Sequence, residues 1–179
     1  MVASLRLRSA THQDVDAVVA LVESAYRGDA SRAGWTTEAD LLGGRRTDAT
    51  DVRACLERAQ SRVVVAEDGG RLVACAHVCV EDGAGYFGMF AVTPGGQGGG
   101  LGSAVLAEAE RVVRDEWRLP TMRMTVIDVR DELIAYYQRR GYVRTGIRKP
   151  FPYGDARFGE PKRPDLRFEV LEKRLAAHG

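Results

Sequence analysis

The residues whose types and spacing most clearly imply chemistry stand between Val92 and Ala104, where the chain reads VTPGGQGGGLGSA. Six of the eight residues from Gly95 to Gly102 are glycine, and a helix-like run follows at once. A slack turn needs one or two glycines, and each extra one costs roughly 0.5–1 kcal/mol relative to alanine in regular structure. The run therefore implies a backbone shaped around a ligand. It does not fit the two commonest nucleotide loops. After Gly95 and Gly100 a phosphate-binding Walker loop would continue with Lys and then Ser or Thr, but Leu101 and Gly102 follow. In the dinucleotide frames opened by Gly96, Gly98 or Gly100, the closing position holds Leu101, Ser103 or Val105 instead of glycine or alanine. What is left is a strand, a glycine turn and a helix amino terminus, where unpaired N–H groups and the helix dipole favour an anion.

A second group of reactive side chains is Cys75, His77 and Cys79, which in an extended strand point to one face. A tetrahedral zinc site wants further ligands and usually a C-x-x-C turn, so packing is the expectation here and no metal is expected. The third group is Tyr136 and Tyr137 in AYYQRRGY, a helix-like segment closing on Gly141.

Taken together, VTPGGQGGGLG and YQRRGY resemble the GNAT superfamily of N-acetyltransferases. That family's loop reads Gln or Arg, two residues, Gly, one residue, then Gly or Ala, which Gln97, Gly100 and Gly102 match. Its later motif, Tyr, three residues, Gly, then Phe or Tyr, matches Tyr137, Gly141 and Tyr142, and the likeness runs from Val63 to Tyr142. The resemblance implies an acetyl-CoA-dependent N-acetyltransferase moving an acetyl group to a primary amine by direct attack in a ternary complex. The pantetheine arm would add to the strand edge at Phe90, Ala91 and Val92, and Gln97, Gly98, Gly99, Gly100, Leu101, Gly102 and Ser103 would hold the pyrophosphate. Tyr137 would protonate the departing thiolate. Arg130 stands where the family often has Asn; arginine cannot accept a hydrogen bond, so a contact to the cosubstrate there would be of another kind. The strand from Tyr86 to Val92 lacks the carboxylate that several family members use as base. Glu81 leads the candidates for that role, with Asp128, Glu38 and a water chain behind it. The alternative of another class is an acyl-CoA-binding sensor or interaction domain that does not catalyse.

These residues need elements to position them. LRLRSA reads as a first strand, with Thr11 and Asp14 as a cap before a helix whose buried face is Val15, Val18, Val19, Val22, Ala25 and Tyr26. A helix over Asp51–Gln60 precedes RVVVAED and RLVACAHVCVED, a hairpin about Gly69 and Gly70; DGAG, Asp82 to Gly85, turns the chain into YFGMFAV. Leu101, Val105, Ala109, Val112 and Val113 mark a helix ending near Arg118, before Pro120. Then come a strand at TMRMTVID, a helix over Asp131–Arg140, and strands at GYVRTGIRK and LRFEVLEK. The expected fold is α/β (α+β): a mixed, mostly antiparallel sheet of about seven strands flanked by helices, as one domain over residues 1–179, and the resemblance implies that the sheet is splayed between the fourth and fifth.

Composition agrees with one soluble domain, at 45% apolar and 28% charged residues. A net charge of +1 predicts no general attraction to nucleic acid or to an anionic membrane. Three cysteines and no signal-like amino terminus lead to the expectation of a cytoplasmic protein; a homodimer is compatible with the sequence. Acceptor recognition is expected in the two long loops, Ser31–Arg46 and Lys149–Arg163, through Trp35, Glu38, Asp40, Phe151, Tyr153 and Asp155.

Overall fold

The computed structural model describes residues 5–26, 42–43, 47–94, 100–153 and 160–176. Seven strands form the main sheet: β1 Arg6–Ser9, β2 Ser61–Asp68, β3 Arg71–Glu81, β4 Ala84–Val92, β5 Thr121–Ile127, β6 Val143–Pro150 and β7 Arg167–Arg174. Their spatial order is β1-β2-β3-β4-β5-β7-β6, with every neighbour antiparallel except β4 and β5. The expected mixed sheet is therefore present. Leu42–Gly43 and Glu160–Pro161 pair separately as a small ribbon.

Helices cover both faces. α1 (Val15–Tyr26) and α2 (Ala49–Glu57) lie on one side with Val63, Val65, Cys75, Met89 and Ala91. On the other side α3 (Leu101–Arg111) and α4 (Asp131–Gln138) pack on Val64, Ala76, Phe87, Val92 and Met124. Alternating strand residues serve the two layers. In α1 the buried set includes Leu21 where the spacing suggested Val19, which is only half-buried. Among the described residues no helix is long and apolar enough to cross a membrane.

Local chemistry explains the element ends. The Thr11 N–H donates to Asp14 Oδ2 at 2.8 Å, and Asp14 also takes Nη1 and Nη2 of Arg8 at 2.7 and 2.9 Å, tying β1 to the entry of α1. That Arg8 pairing, against burial, holds the Asp14 carboxyl down to about 2. Since the folded value lies below the unfolded one, the stabilisation is complete above about pH 4 and is lost as pH falls towards 2. Asp14→Asn is expected to cost about 1–2 kcal/mol at neutral pH and much less near pH 2, read from urea midpoints at the two pH values.

Two elements differ from the sequence expectation. The second hairpin turns on Asp82 and Gly83 alone (φ +50° and +76°), so β4 begins at Ala84 and Gly85 is a strand residue. There a Cβ would sit 2.5 Å from Cγ2 of Val113, so the glycine is a packing requirement. After Arg111 the helix widens into a π turn over Val112–Glu116: the N–H of Trp117 reaches Val112 O, five residues back, at 3.0 Å.

Candidate active site

The parallel pair β4–β5 is joined only at Gly85↔Met122 and Tyr86↔Arg123. Beyond Tyr86 the strands part, and the expected splay is observed. Its local cause is visible in β4, where Met89 has φ +49° and the register against β3 slips between Cys75 and His77. Such a bulge bends a strand and turns its groups. The gap holds a cavity of about 420 Å³ between Tyr86–Phe90 on one wall and Met124–Ile127 on the other. At the narrow end Tyr86 Oη lies 2.6 Å from Thr125 Oγ1.

Tyr137 reaches this cavity from α4 and is 3% exposed. Phe87, Phe90, Tyr136 and Tyr142 surround its ring at centroid distances of 5.5–6.4 Å. Burial first, and then the neighbouring Tyr26, push the Tyr137 phenol well above its ordinary value, with Arg130 opposing. It is therefore a neutral hydroxyl across the working range. Tyr136, one residue earlier and with its ring centroid 5.5 Å from that of Tyr137, lines a second groove.

That groove, of about 550 Å³, lies between α3 and α4 and is lined by Val92, Gly100–Ser103, Glu132, Ala135, Tyr136, Arg139 and Arg140. At the start of α3 the first intrahelical N–H is that of Ala104, bonded to Gly100 O at 3.0 Å, so Leu101, Gly102 and Ser103 have N–H groups to spare. A Cβ at Gly102 would meet Phe90 Cζ at 2.8 Å and Tyr136 Oη at 2.9 Å, so the close approach of α3 to that aromatic pair depends on glycine. Arg140 lies 3.5 Å above the Tyr136 ring and gives Nε and Nη2 to Ser103 Oγ at 3.0 and 2.7 Å. Spare N–H groups and two arginines at one helix start suit a diphosphate. The residues present thus fit the anionic part of acetyl-CoA. Gln97, Gly98 and Gly99 lie outside the described residues.

Of the other expected site residues, Phe90, Ala91 and Val92 are buried at the splayed end of β4, and Phe90 O accepts from the Tyr26 hydroxyl. Val92 alone of the three lines the α3–α4 groove. Arg130 precedes α4 on the cavity side, 9% exposed, with its guanidinium 5.8 Å from the Tyr26 ring centroid. It does not line the groove that suits the diphosphate. Phe151 is buried and lines the cavity, while Tyr153 is 44% exposed and pins its own loop by donating to Arg163 O and accepting from Leu166 N. Trp35, Glu38, Asp40 and Asp155 lie outside the described residues.

The structure does not bring Glu81 to the cleft. It is exposed at the end of β3 beside the Asp82–Gly83 turn, because the two-residue hairpin puts it at the tip. Asp128 is also off the cavity wall and takes Arg167 Nε at 3.2 Å. Instead His77 lines the cavity, with Nε2 2.7 Å from Ser61 Oγ, and burial lowers its imidazole to about 4. Its strand neighbours Cys75 and Cys79 are buried. Sequence reading missed His77, Arg139 and Arg140. The arginines had a signal, since they lie within the Tyr motif, between Tyr137 and Gly141 in YQRRGY. His77 had only its alternation with the two cysteines, which does not tell a cleft from a core.

The sequence profile of the acetyltransferase (GNAT) family matches residues 21–142. No curated protein matches the sequence significantly. Among solved structures, the ribosomal-protein-S18-alanine N-acetyltransferase from Escherichia coli superposes with a TM-score of 0.72 at 15% identity, covering 98% of this chain and 97% of that one. A ribosomal-protein-alanine N-acetyltransferase from Brucella melitensis gives 0.71 at 21% identity, covering 95% and 99%. YncA from Salmonella typhimurium, solved with its cofactor acetyl-CoA, gives 0.69 at 19% identity, covering 99% and 97%. With a family match over most of its length, a seven-stranded sheet parted between β4 and β5, and a tyrosine at the parting, the chain belongs to the acetyltransferase (GNAT) family and is an N-acetyltransferase.

Proposed function

We propose that the protein transfers the acetyl group of acetyl-CoA to a primary amine by direct attack, with both substrates bound at once. The observation that supports this reading is the cleft through the sheet: buried Tyr137 lines its cavity, and the neighbouring Tyr136 lines the groove suited to a diphosphate. Acetyl-CoA, when bound, supplies an activated acyl carbon and a thiol leaving group.

The chain's residues divide the work. The N–H groups of Leu101, Gly102 and Ser103, with Arg139 and Arg140, hold the diphosphate. The β4 edge beyond Tyr86, parted from β5, runs beside the pantetheine arm and gives an N–H to the acyl oxygen. Tyr137 gives its proton to sulfur. Buried Phe87, Phe90 and Met124 keep water from the acyl carbon. The acceptor enters on the α1–α2 side, among Tyr26, Thr47, Asp51, Arg130 and Phe151.

Release of the CoA thiol, measured with acetyl-CoA and a panel of amines, amino acids and peptides, tests this. Release with at least one amine, accompanied by the acetylated product in a mass spectrum, is the expected result. Tight acetyl-CoA binding without release across the panel would favour the sensor instead.

A further inference from the structure

β4 lacks a carboxylate facing the cleft, and among its residues that line the cavity Gly88 is the one without a side chain. A Cβ there would touch only Tyr86, at 3.5 Å, so the site is an open notch. The residue in register with Gly88 on the neighbouring strand is His77. Strands lie about 4.8 Å apart, so an imidazole on β3 can look across a glycine on β4 into the gap beyond. His77 lines that gap.

The hydrogen bonds around the ring fix its protons. Ser61 Oγ donates its one proton to Cys55 O at 2.7 Å. It therefore accepts at the 2.7 Å contact with His77 Nε2, which must carry hydrogen, and Nδ1 is left with the lone pair. Cys55 O belongs to the last turn of α2, the negative end of that helix dipole, and a proton arriving at Nδ1 would be favoured through the same chain of bonds. Burial works against that charge first, and Arg58, whose Nη2 bonds Val80 O, adds to the effect; together they keep the ring neutral before reaction.

We infer that His77 is the proton acceptor of the reaction, with Nδ1 taking the proton from the acceptor amine and Ser61 holding the ring in the required tautomer. This rests on the acetyl-transfer reading above. A neutral amine nitrogen forms its bond to the acetyl carbon and the carbon–sulfur bond breaks. The proton shed by nitrogen goes to Nδ1, sulfur takes the proton of Tyr137, and exchange with solvent restores both side chains. The nitrogen becomes strongly acidic as it bonds to the carbonyl carbon, so a base far weaker than the amine itself is sufficient.

The first test uses the protein without substrates. Long-range nitrogen–proton NMR of the histidine rings, with the His77 signal assigned from His77→Gln, is expected to give the Nε2–H tautomer with a bare Nδ1, and Ser61→Ala is expected to give a mixture. A ring protonated at Nδ1 in the wild type overturns the inference. In the second test, His77→Ala is expected to lose about 100-fold in kcat, with acetyl-CoA affinity within about twofold as the check on folding. Free imidazole is expected to restore part of that rate in His77→Ala and none in Tyr137→Phe, a rescue that a packing role would not produce. If His77→Ala turns over within about threefold of wild type, His77 is not the acceptor and the acetyl-transfer reading stands. If the wild type itself releases no thiol with any amine, that reading falls and the proton path falls with it.

Discussion

Tyr137→Phe is expected to lower kcat about 10³-fold while leaving acetyl-CoA affinity within about twofold and stability within about 1 kcal/mol. The small stability change follows from packing. The ring is held by four aromatic neighbours and the substitution removes only the hydroxyl. The large rate change follows from the leaving group. A thiolate expelled into a cavity walled by Phe87, Phe90 and Met124 is poorly solvated and needs a proton at once. A phenol raised well above its ordinary value looks too weak an acid for a thiol near 8.5, but the same desolvation raises the thiolate, so the two stay matched. Single-turnover thiol release, with binding followed separately, distinguishes a chemical defect from a binding one. Unchanged turnover with a true acceptor would remove Tyr137 from the mechanism.

The second large effect lies behind the site. Glu110, near the end of α3 and 8% exposed, takes Lys173 Nζ at 2.9 and 3.1 Å and the buried Tyr142 hydroxyl at 3.1 Å. One carboxylate therefore joins α3 to β7 and to the residue that follows Gly141. Glu110→Ala is expected to cost about 3 kcal/mol in urea unfolding, because it strands a hydroxyl in the core and leaves the Lys173 charge, 27% exposed, without its counter-ion. Glu110→Gln, which keeps an acceptor for Tyr142, is expected to lose about half as much. Both variants should also weaken acetyl-CoA binding, since α3 and α4 form the two walls of the groove. A loss below about 1 kcal/mol for Glu110→Ala would mean that water substitutes for the carboxylate at that edge.

Much of this was legible because local chemistry and fold agree. The apolar runs RVVVAED and RLVACAHVCVED on either side of Gly69 and Gly70 marked the hairpin strands to within a residue or two, and valine spacing marked the inner face of α1 except for the exchange of Val19 for Leu21. The choice of Tyr137 over Tyr136 rested on the spacing to Gly141; in the structure the two rings lie 5.5 Å apart, Tyr137 lining the cavity and Tyr136 the groove beside it. What could not be read depended on pairing between strands. Gly85 looked like part of a turn because nothing local reveals that Val113, 28 residues later, needs its missing side chain. His77 looked like packing because its importance comes from facing a glycine across β4, a matter of register. Glu81 led the candidates because it closes the strand before one that has no carboxylate, and the tight turn beside it holds it at the exposed tip.

In the proposed function the two substrates are received at separate places, the diphosphate in the groove between α3 and α4 and the acceptor in the cavity that Tyr26, Asp51 and Cys55 of α1 and α2 help to line. Within the described residues the two share only Val92's strand, Tyr136's helix and the gap between β4 and β5. Over evolutionary time the acceptor side can therefore be rebuilt, by changes around Thr47, Asp51 and Phe151, while the donor side is inherited unaltered. A lineage built on this sheet can change its clientele without relearning how to hold its reagent.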